Sequence, residues 1–292
     1  MTDRVSRDQH PITPADALRF GQSMCAQAGS DTPRLDAEVL LRHVLGIDRT
    51  RLFAEMNETI DPDKAADFLT LLGRRVAGEP IAYLTGEREF HGRPFKVGEG
   101  VLIPRPETEL LVEWASDWLR DRPGASVVDI GTGSGAIALT LAAELGPGWS
   151  GRIVGVDVST EALAWARRNR SALGLDRQVK LVPGDLLAWA PNTSADLIVA
   201  NLPYLTPGQL AENPWLAMEP AAALVAGEDG LDLIRRTITD LPRVLRPGGA
   251  AGFEIDPSQA ESVKDLLRAA LPDAQVRTIF DLAGHARHII AE

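Results

Sequence analysis

Two short segments of this chain have residue types and spacings that could do chemistry. They are a glycine loop, Gly131-Thr132-Gly133-Ser134-Gly135, and an acceptor tetrapeptide, Asn201-Leu202-Pro203-Tyr204. Each directly follows a strand-like apolar run, 127–130 and 195–200 respectively. Glycine allows the backbone to come close to a ligand, and asparagine offers a carbonyl oxygen to an N–H hydrogen. The pair predicts a nucleotide-like cofactor beside a reacting nitrogen that carries hydrogens.

The cofactor prediction depends on the residues that end three successive predicted strands. The spacing G-x-G-x-G differs from the G-x-G-x-x-G of dinucleotide enzymes, so a pyrophosphate is disfavoured. Asp157 ends the second strand, where its carboxylate can accept both ribose hydroxyl protons, although it could also merely cap the helix that begins near Thr160. Asp185 and Leu186 end the third strand and are expected to meet the adenine amino group and ring. S-adenosylmethionine fits this order best.

The acceptor tetrapeptide predicts a grip on a planar NH2 group. The side-chain carbonyl of Asn201 can accept one hydrogen and the main-chain carbonyl of Leu202 the other. Pro203 biases Leu202 toward an extended conformation that turns this carbonyl outward, and Tyr204 offers a face for stacking. Asn201 is also expected to contact the cofactor. Taken alone, the four residues could be a simple strand-exit turn, but behind a methyl-donor site they indicate a nitrogen methyltransferase.

Composition narrows the classes of function. The chain has 292 residues, so two domains are expected. Its net charge of -11 argues against a protein whose main task is to neutralise the phosphates of a nucleic acid. Cys25 is the single cysteine, which excludes an intrachain disulfide and a cysteine-based metal site; no metal is expected. The first residues contain no apolar signal region, and no apolar run reaches the roughly 20 residues that span a bilayer. We expect a cytoplasmic monomer that contacts neither membrane nor nucleic acid directly.

The pattern of elements predicts an α/β fold with a helical domain in front of it. Residues 1–85 are expected to form a helical substrate-recognition bundle, 86–106 a β-hairpin linker, and 107–292 the methyltransferase domain. Apolar stripes in the first domain include Leu35 and Leu69. Strands are predicted at 126–130, 152–158, 179–183, 195–200, 250–255, 274–280 and 286–291. Helices are predicted at 107–119, 134–145, 160–171, 231–244 and 259–270. The sheet should be Rossmann-like, doubly wound and mostly parallel, with seven strands and an antiparallel hairpin at one edge.

Several segments outside the two motifs make the chain resemble the release-factor glutamine methyltransferase family. They are Pro33-Arg34-Leu35-Asp36-Ala37-Glu38, Gly78-Glu79-Pro80-Ile81-Ala82-Tyr83-Leu84-Thr85-Gly86 and Leu102-Ile103-Pro104-Arg105-Pro106-Glu107-Thr108-Glu109. The resemblance covers nearly the whole chain. It implies methyl transfer from S-adenosylmethionine to the glutamine side-chain nitrogen of a Gly-Gly-Gln loop in peptide chain release factors, a step that belongs to translation termination. It also implies that the glycine loop, Asp157 and Leu186 contact the methyl donor, and that the helical domain grips the release factor.

One departure from that family leaves an alternative open. The family usually has two prolines in the tetrapeptide, whereas Leu202 stands in the first proline position. The main-chain carbonyl survives this change, but Asn201 loses the restraint of a following proline, so its geometry must come from packing. The form Asn-Leu-Pro-Tyr is also typical of ribosomal RNA adenine methyltransferases, which are the first alternative. A nucleotide-binding module without catalysis and a dehydrogenase are weaker ones.

Overall fold

The computed structural model describes residues 12–292, which divide into two compact units, one ending at Thr85 and the other comprising Gly86–Glu292. The first unit contains five helices within the described range. They are α1 (Pro14–Gln27), α2 (Pro33–Leu45), α3 (Arg49–Ala54), α4 (Pro62–Val76) and α5 (Ile81–Thr85). Proline at the first turn and a capping Thr13 or Asp61 explain where α1 and α4 begin. Cys25 is buried in the core of this unit.

Two predicted core positions of the first unit are wrong. Leu35 and Leu69 are 52% and 47% exposed. The buried face of α2 includes Asp36. The Asp36 carboxylate lies 2.8 Å from the guanidinium of Arg75 on α4. A charged residue can be buried when it is paired in this way, so apolar periodicity alone misplaces the face. The core positions of α4 are Ala65, Phe68 and Leu72.

The second unit is an α/β domain that begins with a small hairpin. Its strands are β1 (Glu87–Phe90), β2 (Arg93–Lys96), β3 (Ser126–Ile130), β4 (Arg152–Asp157), β5 (Val179–Pro183), β6 (Ala195–Ala200), β7 (Leu245–Glu254), β8 (Val276–Phe280) and β9 (Ala286–Ala291). Its helices are α6 (Glu109–Leu119), α7 (Ala136–Leu145), α8 (Thr160–Ala172), α9 (Pro207–Glu212), α10 (Asp232–Val244) and α11 (Ala260–Ala270). The predicted alternation of strands and helices is confirmed.

The main sheet has seven strands in the order β5-β4-β3-β6-β7-β9-β8. Strands β3 to β7 pair in parallel, and β9 pairs antiparallel with both β7 and β8. The chain moves outward from β3 to β5 and then returns to place β6 beside β3, so the strand order reverses between these two strands. A ligand site is expected at such a reversal, beyond the carboxyl ends of the strands.

Apolar side chains cover both faces of this sheet. Val128 and Ile198 belong to one buried cluster, whereas their neighbours Val127 and Leu197 belong to another on the opposite face. Strands buried on both faces read as continuous apolar runs, which is why the sequence predicted them well. The second cluster also receives Phe90 and Phe95 of the hairpin, which was expected as a linker; their rings pack edge to face with centroids 5.9 Å apart.

The segment between β6 and α10 contains structure that the sequence did not predict. It holds α9 and two short 3-10 turns, Pro214–Leu216 and Ala221–Ala223. A bridge between Leu205 and Val225 closes this segment into a loop. Strand β7 also begins five residues earlier than predicted, because Leu245 pairs with Ala195 before the register shifts. Elements this short have little periodicity, so their positions depend on tertiary contacts.

Candidate functional site

The glycine loop and the acceptor tetrapeptide begin side by side at the reversal of strand order. Ile130 of β3 pairs with Ala200 of β6, so Gly131 and Asn201 are the next residues along two neighbouring strands. The backbone at Gly131 has a φ of 68°, and a Cβ there would lie 3.1 Å from Cδ2 of Leu202. The left-handed conformation favours glycine here, and a side chain would also press on Leu202.

A cavity of about 340 Å³ lies at this point. Ten of the residues predicted from the sequence line it. They are Gly131, Thr132, Gly133, Ser134, Asp157, Asp185, Leu186, Asn201, Leu202 and Pro203. Gly135 and Tyr204 are the two predicted site residues that are not among its lining residues. Gly135 instead precedes α7 with a φ of 85°, where a Cβ would lie 2.7 Å from Leu139.

Asp157 is held by two backbone amides. Gly133 N donates to one carboxylate oxygen at 2.9 Å, and Ser159 N donates to the other at 2.8 Å. Each oxygen keeps a further lone pair for a ligand hydroxyl. Burial raises the pKa of the Asp157 carboxyl, and the N–H groups of Ser159 and Gly133 oppose that rise. The N-cap of α8 is Ser159, so the alternative in which Asp157 serves only as that cap does not hold.

Asp185 and Leu186 lie at the wall of the same cavity but in different electrostatic settings. The Asp185 carboxylate lies 2.6 Å from the guanidinium of Arg236, and both side chains are about half exposed. An adenine amino group would therefore share this carboxylate with an arginine. Leu186 has a φ of 49°, and together with Val158, which is 76% exposed, it supplies apolar surface at the cavity.

Asn201 is oriented by a buried hydroxyl. Its amide nitrogen Nδ2 donates to Thr108 Oγ1 at 2.9 Å, and Thr108 Oγ1 in turn donates to Glu254 Oε2 at 2.6 Å. Thr108 and Glu254 are 3% and 2% exposed. Leu202 is also buried, which provides the packing restraint that replaces a proline. The Oδ1 oxygen of Asn201 is the amide atom that Thr108 does not engage.

Tyr204 is directed toward the interior. Its hydroxyl donates to Glu254 Oε1 at 3.3 Å, and its main-chain oxygen accepts from Gln259 Nε2 at 2.8 Å. Burial, followed by the nearby Glu254 carboxylate, raises the pKa of the phenol. The stacking role remains a prediction, since the ring does not border the cavity as it stands.

Several lining residues were not singled out by motif. Arg105 and Thr108 come from the segment before α6, for which the sequence suggested, besides the family resemblance, that residues 105–109 shape the pocket wall. The Arg105 guanidinium pairs at 2.5 Å with Glu219, and Ile103 N donates to the same buried carboxylate at 3.0 Å. These contacts join the segment before α6 to the loop after β6. They connect residues far apart in the chain, so no local pattern could have indicated them.

Asp129 is a buried carboxylate next to the glycine loop, and the sequence motifs did not indicate a role for it. It lies inside the sheet, fully buried, and accepts from Thr132 Oγ1 at 2.6 Å and from Ala138 N at 3.1 Å. Burial raises its pKa to about 7, which the hydrogen bonds from Thr132 and Ala138 partly oppose. Asp129 thus ties the glycine loop to the first turn of α7.

The raised pKa of Asp129 predicts a pH-dependent stability. Between the ordinary pKa of 3.8 and about 7, the folded protein holds a proton that the unfolded chain has released. The free energy of unfolding contributed by this group is thus present at low pH and is lost as pH rises toward 7. From pH 6 to pH 8 the loss should be on the order of 1 kcal/mol. Asp129→Asn removes this titration. In urea unfolding, the free energy of unfolding of the variant relative to that of the wild type should therefore rise from pH 6 to pH 8. A difference between the two proteins that does not change with pH would contradict the prediction.

Within residues 12–292 no helix is both long and apolar enough to span a membrane. In the same range no cluster of three or more His, Cys, Asp or Glu side chains is placed to hold a metal ion.

The chain is similar to known proteins over nearly its whole length. A family model described as "PrmC N-terminal domain" matches residues 16–86, and one described as "Methyltransferase domain" matches residues 121–269. A release factor glutamine methyltransferase of Moorella thermoacetica is 40% identical over 281 residues, covering 96% of this chain and 98% of its own length. That of Deinococcus radiodurans is also 40% identical, covering 94% of this chain and 97% of its own length.

Solved structures share the fold at lower identity. The hMettl16 catalytic domain, solved with a MAT2A 3′UTR hairpin, matches with a TM-score of 0.54 and 17% identity, covering 80% of this chain and 82% of that one. The T. Thermophilus 16S rRNA N2 G1207 methyltransferase matches with a TM-score of 0.51 and 21% identity, covering 70% and 49%. The family model and the curated relatives identify the domain that contains the seven-stranded sheet as a methyltransferase domain. Because relatives of 40% identity match over nearly their full length, the chain belongs to the release factor glutamine methyltransferase family.

The cavity residues fit S-adenosylmethionine, the cofactor of this enzyme class. Asp157 presents two carboxylate oxygens whose orientation is already set by backbone amides. Val158 and Leu186 provide apolar surface on which an adenine ring could pack. Gly131 and Gly133 line the same cavity as Asn201 and have no side chain that would hold a cofactor away from the backbone.

Proposed function

We propose that this enzyme methylates the side-chain amide nitrogen of the glutamine in the Gly-Gly-Gln motif of peptide chain release factors. The observation that carries the proposal is the position of Asn201 at the cavity. Its nitrogen is committed to Thr108, which leaves the Oδ1 oxygen to accept an N–H hydrogen. The family membership established above supplies the substrate class.

The proposed grip uses two oxygens of the acceptor tetrapeptide. Oδ1 of Asn201 accepts one amide hydrogen, and the main-chain oxygen of Leu202 accepts the other. A carboxylic acid or a hydroxyl group cannot supply two hydrogens in this geometry, so the site would select an NH2 group. Pro203 fixes the backbone direction after Leu202, and Tyr204 buttresses the turn through its buried hydroxyl.

An amide nitrogen is a weak nucleophile because its lone pair is delocalised into the carbonyl. Bound S-adenosylmethionine supplies an electrophilic methyl group on a sulfonium centre. Asn201 and Leu202 would hold the substrate nitrogen in one orientation at the cavity and accept both N–H hydrogens, which would return electron density to nitrogen. Such orientation can be worth roughly 7 to 11 kcal/mol. The amide proton is lost after the transfer, so no general base is needed before attack.

The proposal extends to the partner and the setting of the reaction. The first unit is assigned to recognition of the release factor. We also propose that the enzyme acts as a monomer in the cytoplasm and makes no direct contact with nucleic acid. The net charge of -11 supports the last point, because phosphate contacts require clustered cations. The single, buried Cys25 suits a reducing compartment.

The competing substrate is an adenine of ribosomal RNA, whose exocyclic amine offers the same two hydrogens. A methyl-transfer assay should compare three substrates: an intact release factor, the same factor with the glutamine of Gly-Gly-Gln replaced by alanine, and ribosomal RNA. We expect methyl incorporation into the intact factor alone. Incorporation into RNA without incorporation into the factor would overturn the proposal, as would equal labelling of the Gln→Ala variant.

A further inference from the structure

The proposed grip on glutamine requires that the amide of Asn201 be held in one of its two orientations. An asparagine amide turned by 180° exchanges its oxygen for its nitrogen. With Oδ1 toward the cavity, Asn201 accepts a hydrogen from the substrate NH2. With Nδ2 toward the cavity, the N–H donors of Asn201 would face the N–H donors of the substrate, and no hydrogen bond could form. The residues that prevent this reversal are therefore as necessary as Asn201 itself.

Thr108 restricts the choice because its hydroxyl carries a single hydrogen. The 2.6 Å contact between Thr108 Oγ1 and Glu254 Oε2 is typical of a hydroxyl donating to a carboxylate. Once the hydrogen is used there, the hydroxyl can only accept from Asn201. The Asn201 atom 2.9 Å away must then be the nitrogen.

Glu254 in turn acts as an acceptor. Besides Thr108, the Tyr204 hydroxyl donates to its Oε1 at 3.3 Å, and Nε2 of His288 lies 3.4 Å from its Oε2. The carboxylate ends β7, and His288 belongs to the adjacent strand β9. A carboxylate buried to 2% exposure among these groups has no solvent to reorient it.

We infer that Thr108 and Glu254 are positioning residues that hold the oxygen of Asn201 toward the substrate, so that the site takes a carboxamide and rejects a carboxylate. This inference rests on the proposed function and extends it to two residues that touch Asn201 directly or through one hydroxyl. The direction of the hydrogen bonds runs from Asn201 to Thr108 to Glu254. Removing either acceptor would free the Asn201 amide to turn.

The test compares three substitutions in the full-length enzyme. Thr108→Val keeps the shape of the side chain and removes the hydroxyl, whereas Thr108→Ser keeps the hydroxyl. Thr140→Val is the matched control, because Thr140 is equally buried and its hydroxyl has no partner within residues 12–292. We expect kcat/KM for the release factor to fall about tenfold or more in Thr108→Val and to stay within about threefold in the other two variants.

A second measurement separates positioning from a structural role. A release factor carrying Gln→Glu should inhibit the wild type weakly, because Asn201 Oδ1 faces its carboxylate. In Thr108→Val the freed amide can turn its nitrogen to that carboxylate, so inhibition should tighten about tenfold. In an Asn201→Ala background, Thr108→Val should change the residual rate by less than about twofold.

Each outcome has a defined meaning. Equal kcat/KM for Thr108→Val and Thr108→Ser, unchanged inhibition by the Gln→Glu factor, or a full effect of Thr108→Val in the Asn201→Ala background would overturn the inference. Wild-type activity on the intact factor is the reference throughout. Its absence would instead contradict the proposed function, so the two failures are distinguishable.

Discussion

Replacing Asn201 by alanine is expected to lower kcat by about 100-fold or more, while binding of S-adenosylmethionine stays within about threefold. The substitution removes the oxygen that would hold one amide hydrogen of the substrate in front of the methyl group. It leaves intact Asp157 and the glycine loop, on which we propose that cofactor binding depends. Loss of orientation should appear mainly in kcat, because the contact is needed most while the nitrogen attacks.

The measurement pairs single-turnover methyl transfer with calorimetric titration of the cofactor. Asn192→Ala is a suitable control, since Asn192 is exposed and does not line the cavity. It should retain both the rate and the affinity. Turnover unchanged by Asn201→Ala would mean that the acceptor is held elsewhere, and loss of cofactor affinity alone would assign Asn201 to the cofactor instead.

The Asp157→Ala variant is expected to bind S-adenosylmethionine about 100-fold more weakly. Two hydrogen bonds to the carboxylate from ribose hydroxyls would be lost. The amides of Gly133 and Ser159 would also lose their acceptor, which loosens the glycine loop. Asp185→Ala provides the comparison: its carboxylate is half exposed and already paired with Arg236, so a loss below about tenfold is expected.

The raised pKa of Asp157 adds a pH dependence to this second prediction. Burial holds its pKa above the ordinary value, so protonation begins at a higher pH than for an exposed aspartate. The protonated form gives up an acceptor, and cofactor affinity should therefore decline as pH falls toward that pKa. Calorimetry across a pH series would check this, with Asp157→Ala showing no such decline. Equal losses for Asp157→Ala and Asp185→Ala would contradict the assigned roles.

Much of the fold could be predicted from sequence because its signals are local. Short segments rich in apolar residues and bounded by turn residues gave β5, β6 and β9 with the observed boundaries, 179–183, 195–200 and 286–291. The glycine loop and the acceptor tetrapeptide follow directly from such runs. Parallel strands end at one edge of a sheet, so these motifs could be expected to meet. Leu35 and Leu69 were misplaced because periodicity does not count buried ion pairs.

The sequence by itself determined the class of sheet and the two neighbouring strand ends at which the glycine loop and the acceptor tetrapeptide begin. Only the tertiary structure decided which way Asn201 points. That orientation depends on Thr108, which is 93 positions from Asn201 in the chain, and on Glu254, which is 146 positions from Thr108. The same contacts turned Tyr204 inward to Glu254 rather than toward the cavity. The physical reason is that the hydrogen-bond direction depends on three groups that only the tertiary fold brings together, and no local pattern encodes it.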